Sequence, residues 1–154
     1  MEENNKEISQ EVSLYASGLC PSSQNYQLFL SQVAAGFPSP ADDYLDNPLN
    51  LNDYLVKNPT ATFMLRVSGD SMINAGIFAN DILIVDRSLP IRSGKIVIAI
   101  LDDEFLVKQY IKQENQIILR SANLKYPDIK ISAEDLELRG FEVWGVVVHC
   151  LHNL

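Results

Sequence analysis

Two residues of this chain have the types and settings that nucleophilic chemistry needs. Ser71 lies in Ser68-Gly69-Asp70-Ser71-Met72, where a β-like run gives way to a turn. Such a turn exposes a hydroxyl while backbone N–H groups, here those of Ser71 and Met72, point at one spot and can hold an oxyanion. Gly, Asp and Ser are also ordinary turn formers, so the pentapeptide alone reads first as a plain turn. Lys108 lies in EFLVKQYI, where period-2 alternation puts Leu106, Lys108 and Tyr110 on one face and Phe105, Val107, Gln109 and Ile111 on the other. A lysine held among apolar groups loses hydration of its charged form. Its pKa then falls from about 10.4 toward neutrality, and it can serve as a base. The competing reading is an edge lysine that snorkels to water. Lys95, which opens GKIVIAIL beside Gly94, is a rival base but has the setting of a solvated strand start.

The elements that must position these residues are β-strands. From Ala61 onward, TFMLRVS, DILIVD, GKIVIAIL, EFLVKQYI, QIILRS, IKI and FEVWGVVVHCL are short runs rich in Ile, Val, Leu and aromatics. Asn80-Asp81, Pro90, Ser93-Gly94, Asp102-Asp103, Glu114-Asn115 and Pro127-Asp128 separate them. These runs predict a compact, mainly β domain over 49–154 with little helix after residue 60. Before it, Asn50 is placed to cap a short helix through Leu51, Tyr54 and Leu55 that must stop before Pro59. GFPSPADDY, with Pro38 and Pro40, predicts an extended linker over 36–48. Residues 1–35 carry one Lys against four Glu and sparse apolar positions, which predicts a flexible arm. Within the arm, Tyr26, Phe29, Leu30 and Val33 recur at helical spacing and predict a short amphipathic helix.

Composition narrows the function classes. A chain of 154 residues that is 47% hydrophobic is long enough to bury one core. A formal charge of −8 opposes a phosphate backbone, so direct nucleic-acid binding is not expected. No run reaches the length of a membrane helix and the acidic start is unlike a secretory signal, which predicts a cytoplasmic protein with no membrane association. Cys20 and Cys150 stand far apart, as expected of reduced thiols. The tail His149-Cys150-Leu151-His152 lacks the spacing of a zinc site, and no metal or other cofactor is expected. The aromatic residues Phe63, Tyr110, Phe141 and Trp144 are expected in the core or at a dimer contact. The apolar strand EVWGVVVHCL is expected to be an edge that invites pairing with a second copy.

With these residues in view, the chain resembles the UmuD mutagenesis proteins and, more distantly, the LexA-type repressors that share their self-cleaving peptidase domain. The resemblance runs from AAGFPSPADDY at 34–44, through LNDYLVKNPTATF at 51–63 and SGDSMINAGI at 68–77, to DILIVD, GKIVIAI, DEFLVKQ and GVVVH, in order and in register. It implies a LexA/UmuD-type domain of short, strongly bent β-sheets. It also implies that Ser71 is the nucleophile, that Lys108 is its general base and that Ala35-Gly36 is the bond cut. Ala35 matches the LexA-type pattern, whereas UmuD proteins often have Cys there. Lys95 receives no role. By the same resemblance the chain is a serine peptidase of the SOS DNA-damage response. It is expected to form a homodimer and to cut itself when stimulated by a RecA filament on single-stranded DNA. The product would join an error-prone Y-family DNA polymerase.

Three other readings compete. A LexA-like repressor needs an N-terminal helix-turn-helix module that the acidic first 35 residues do not supply. A signal peptidase, which also uses Ser and Lys, needs a membrane anchor. A non-enzymatic polymerase accessory subunit with a degenerate peptidase site would be expected to have lost Ser71, Lys108 or the small-small bond, and all three are present.

Overall fold

The computed structural model describes Val12–Tyr15, Asn25–Tyr26 and residues 48–154. The chain divides into two units, Gly18–Lys57 and a larger one made of Met1–Ser17 with Asn58–Leu154.

In the smaller unit, β2 (Asn25–Tyr26) pairs antiparallel with β3 (Leu49–Asn50), and α1 (Leu51–Leu55) follows directly. The Asn50 side chain accepts from the amides of Asn52 at 3.0 Å and Asp53 at 3.4 Å, the cap expected from the sequence. Tyr26, the first position of the expected arm helix, is instead extended, and the other positions of that helix lie outside the described residues. Residues 36–47 of the expected linker also lie outside them.

In the larger unit, all seven β-rich runs form strands: β4 (Thr62–Val67), β5 (Ile82–Asp86), β6 (Ile96–Leu101), β7 (Glu104–Lys112), β8 (Gln116–Arg120), β9 (Ile129–Ser132) and β10 (Glu142–Leu151). With β1 (Val12–Tyr15) added to the edge of β4, they make one antiparallel sheet ordered β1-β4-β5-β10-β6-β7-β8-β9. Asp102 and Asp103, at φ 51° and 64°, form the two-residue turn joining β6 to β7. Two consecutive left-handed residues are what a tight hairpin with right-handed strand twist requires. The one α-helix after residue 60, α2 (Asp135–Leu138), is a single turn whose Asp135 carboxylate accepts from the Ser132 hydroxyl at 2.7 Å.

The sheet order corrects one expectation. β10 is not a terminal edge strand but lies in the middle of the order, its first half (Glu142–Val146) laddered to β6 and its second half (Val146–Leu151) to β5. An apolar run of ten residues is apolar because it is central. Register shifts at Val143/Gly145 and Val147/His149 let it pass from one partner to the other, and such bulges bend a sheet strongly. Gly145 is required where β10 meets β5, since a Cβ there would stand 2.6 Å from Cγ1 of Val85.

Bending gives each face its own core. Leu65, Leu83, Val85, Ile98 and Val107 bury one cluster, joined by Met72 and Ile77 from the segment after β4. Val97, Ala99, Leu119, Ile131 and Val146 bury the other, with Tyr110. Alternation along β6 feeds Ile98 to the first cluster and Val97 and Ala99 to the second. Phe63, Trp144 and Phe141 pack against these cores, and the Trp144 ring lies 5.1 Å from Phe63 and 5.7 Å from Phe105.

Candidate active site

β4 ends at Val67, and the chain turns through Ser68, Gly69 and Asp70 to reach Ser71. Gly69 has φ 83°, a left-handed backbone that glycine adopts without cost. Met72 follows and is 3% exposed in the first core, so the residue after Ser71 anchors the turn to the body of the domain. A 3-10 turn, Ile73–Ala75, then ends at Gly76. Among the described residues, no backbone carbonyl accepts from the amides of Ser71 or Met72.

Lys108 stands in the middle of β7, opposite Val97 of β6. It is 5% exposed, so its side chain is buried and does not snorkel to water. Its Nζ donates to Ser71 Oγ at 2.8 Å, which joins two residues 37 positions apart. Lys95 is exposed at the start of β6 and is not the lysine brought to Ser71. Ala35 and Gly36 lie outside the described residues.

The surroundings of this pair include residues that the sequence reading did not single out. The segment after β8 runs against the Ser71 turn: Asn123 Nδ2 donates to the backbone carbonyl of Asp70 at 2.8 Å and to its Oδ2 at 3.3 Å. The Tyr126 hydroxyl donates to Asp70 Oδ1. That bond, helped by the Lys125 charge and Asn123 against a smaller opposing effect of desolvation, holds the Asp70 carboxyl below its usual range. Asp70 thus ties the Ser71 turn to the segment after β8. Asn123 is 6% exposed but sits in a loop, where burial has no periodic signature in a sequence. Tyr-Pro-Asp at 126–128 signals only a turn.

The C-terminal His and Cys residues go to a different place. Asp81, 3% exposed, accepts from the Phe78 amide at 2.7 Å and contacts Cys150 Sγ at 3.3 Å and His152 Nδ1 at 2.7 Å. Burial, and then the neighbouring Asp81 acceptor and charge, push the Cys150 thiol up to about 12. Among the described residues, no group of three or more His, Cys, Asp and Glu side chains is placed to hold a metal ion. Nor is any described helix long and apolar enough to cross a membrane.

The sequence that folds into this domain is similar to those of known proteins. Residues 27–148 match the Peptidase S24-like family. The chain is 37% identical to Protein MucA of Salmonella typhimurium over 141 residues, 92% of this chain and 94% of that one. It is 40% identical to Protein ImpA of Shigella flexneri over 131 residues, 82% of this chain and 83% of that one. It is 36% identical to the LexA repressor of Shewanella oneidensis over 124 residues, 80% of this chain and 58% of the repressor. The chain belongs to the Peptidase S24-like family, the LexA/UmuD-type self-cleaving serine peptidases of the SOS response.

Proposed function

We propose that this protein cuts its own Ala35-Gly36 bond with Ser71 as nucleophile and Lys108 as general base. The observation that carries the reading is the 2.8 Å contact between Lys108 Nζ and Ser71 Oγ, made by a lysine that is almost fully buried. Burial disfavours an ammonium, so a neutral amine at this position is within reach when substrate excludes the remaining water. Ser71 Oγ attacks the carbonyl carbon of Ala35 while Lys108 Nζ takes the hydroxyl proton. The oxygen of the tetrahedral intermediate is held by the amides of Ser71 and Met72. The C–N bond then breaks, Lys108 returns the proton to the departing nitrogen of Gly36, and water hydrolyses the ester on Ser71. No metal or cofactor takes part.

The same reading divides the chain into an arm, 1–35, that is removed, a linker, 36–48, and the peptidase domain, 49–154. Tethering makes the attack intramolecular, so small residues on both sides of the bond suffice for recognition. It also requires a brake, supplied by a low population of the state in which the cleavage site is docked; whatever favours that state activates the enzyme. The activator in this reading is a RecA filament on single-stranded DNA, and the product, 36–154, serves as a subunit of an error-prone Y-family DNA polymerase in the cytoplasm. The charge of −8 is consistent with a protein that reaches damaged DNA through partners. A homodimer is part of the proposal.

The test is to incubate the purified chain with RecA, single-stranded DNA and a slowly hydrolysed ATP analogue, and to follow intact mass. Appearance of 36–154 at a rate that depends on filament concentration, with none from Ser71→Ala, is the expected result. A wild-type chain that stays whole while a LexA repressor in the same tube is cut would point to an accessory subunit with a silent site.

A further inference from the structure

We propose that the loop Ser121–Tyr126 is the positioning element of the active site: it holds the Ser71 turn through Asn123 and ties that turn to the Lys108 side through Tyr126. The inference rests on the Ser71/Lys108 reading and adds to it the residues that set the geometry between the two groups. The loop meets the turn on both sides of the nucleophile. On the side before Ser71, Asn123 holds both the carbonyl and the carboxylate of Asp70. On the side after it, the Ala122 carbonyl accepts from the Asn74 amide at 2.9 Å, and the Ala122 amide donates to Met72 Sδ at 3.4 Å.

Tyr126 completes the link. Its hydroxyl donates to Asp70, one residue from Ser71, and its ring centre lies 5.7 Å from Lys108 Nζ, within range of a cation–π contact. A single side chain therefore touches the nucleophile's neighbour and the base. Neither Asn123 nor Tyr126 needs to contact substrate for this role. Each fixes where Ser71 Oγ stands relative to Nζ, and a displacement of about 1 Å in such a pair costs about a hundredfold in rate. Asn123 is 6% exposed although it is polar and lies in a loop, which is the burial expected of a side chain whose hydrogen bonds are spent inside. The next residue, Leu124, is fully exposed, while Ala122 packs against the first core, so the loop is held by Ala122 and its polar groups and not by its leucine.

The experiment follows self-cleavage of the full-length chain by intact mass over a pH series from about 8 to about 11, where lysine loses its proton. The variants are Asn123→Ala, Tyr126→Phe, Asp70→Ala, Asp70→Asn and Ser71→Ala. Labelling of Ser71 by a fluorophosphonate and the Tm of each variant are measured alongside. Asn123→Ala and Tyr126→Phe are expected to lower the plateau rate about 10- to 100-fold and to slow labelling in parallel, with the pH midpoint unchanged. Asp70→Asn, which keeps an oxygen for the Tyr126 hydroxyl, is expected to cleave much faster than Asp70→Ala. Tyr126→Phe is the control for folding, because it keeps the ring and removes only the hydroxyl. Wild-type plateau rates in Asn123→Ala and Tyr126→Phe, or losses no larger than the fall in folded fraction, would overturn the inference while leaving the dyad in place. Cleavage by Ser71→Ala, or a wild type neither cut nor labelled, would remove the underlying reading and the inference with it.

Discussion

Asp81 and Lys108 are both ionisable and almost fully buried in the same unit, 3% and 5% exposed, but their settings differ. Burial pushes the Asp81 carboxyl up, and donors from the Phe78 amide, His152 and Cys150 more than offset it, so its pKa ends below the usual range. Asp86 is held in the same way by Ser88 and Asn58, again against its own burial. These carboxylates stay ionised throughout the neutral range and are held by several donors each. Lys108 instead presents its amine to a hydroxyl at the end of a turn, a partner that can itself give up a proton. The difference separates a buried carboxylate held by several donors from a buried amine that meets a hydroxyl, the contact on which the proposed proton transfer rests.

The largest effect expected from breaking this contrast is on the lysine side. Lys108→Met should reduce self-cleavage by more than about a thousandfold, as removal of a member of a catalytic unit does. Its Tm should be unchanged or raised, because an apolar side chain of similar volume replaces a buried amine. Densitometry of the cut product beside a thermal melt checks both halves. Asp81→Ala should do the reverse: a loss of about 1–3 kcal/mol in urea unfolding with cleavage per folded molecule retained. Gly145→Ala should likewise cost about 1–3 kcal/mol through overpacking against Val85, again without a change in cleavage of the folded chain.

The carboxylates also set an acid limb. Their folded pKa values lie below the unfolded value of about 3.9, so the stability they contribute is fully present above that value and is lost as pH falls through the depressed folded values. Urea midpoints taken at descending pH should therefore drop below about pH 4 in the wild type, and drop less steeply in Asp86→Ala. The smallest effect concerns Cys150. With its thiol pushed up to about 12, it should react with iodoacetamide at neutral pH far more slowly in the native chain than in urea, as read by peptide mass.

How much of this was legible in the sequence follows from what is local. The seven strands were visible as runs such as DILIVD and GKIVIAIL, the Asp102-Asp103 turn as a break, and the Asn50 cap as a side chain placed before a short helical pattern. Burial of Lys108 was only half visible: both faces of β7 are apolar, but a lysine that snorkels to water fits the same pattern, and the structure decides for burial. The place of β10 was not, because an apolar run is equally consistent with a sticky edge and a sheet centre, and only the pairing partners decide. Asn123 and Tyr126 were missed for a related reason. Their importance lies in a contact with Asp70, more than fifty residues away, and nothing in SANLKYPD announces it.

The central claim, that Ser71 and Lys108 cut Ala35-Gly36, is tested most directly without any partner. Wild-type, Ser71→Ala and Lys108→Ala chains are held at a pH of about 10, where an ordinary lysine begins to lose its proton, and weighed intact. The account predicts loss of residues 1–35 from the wild type alone. Cutting of Ser71→Ala at the same bond would contradict it, as would a Lys108→Ala chain that cleaves as fast as the wild type.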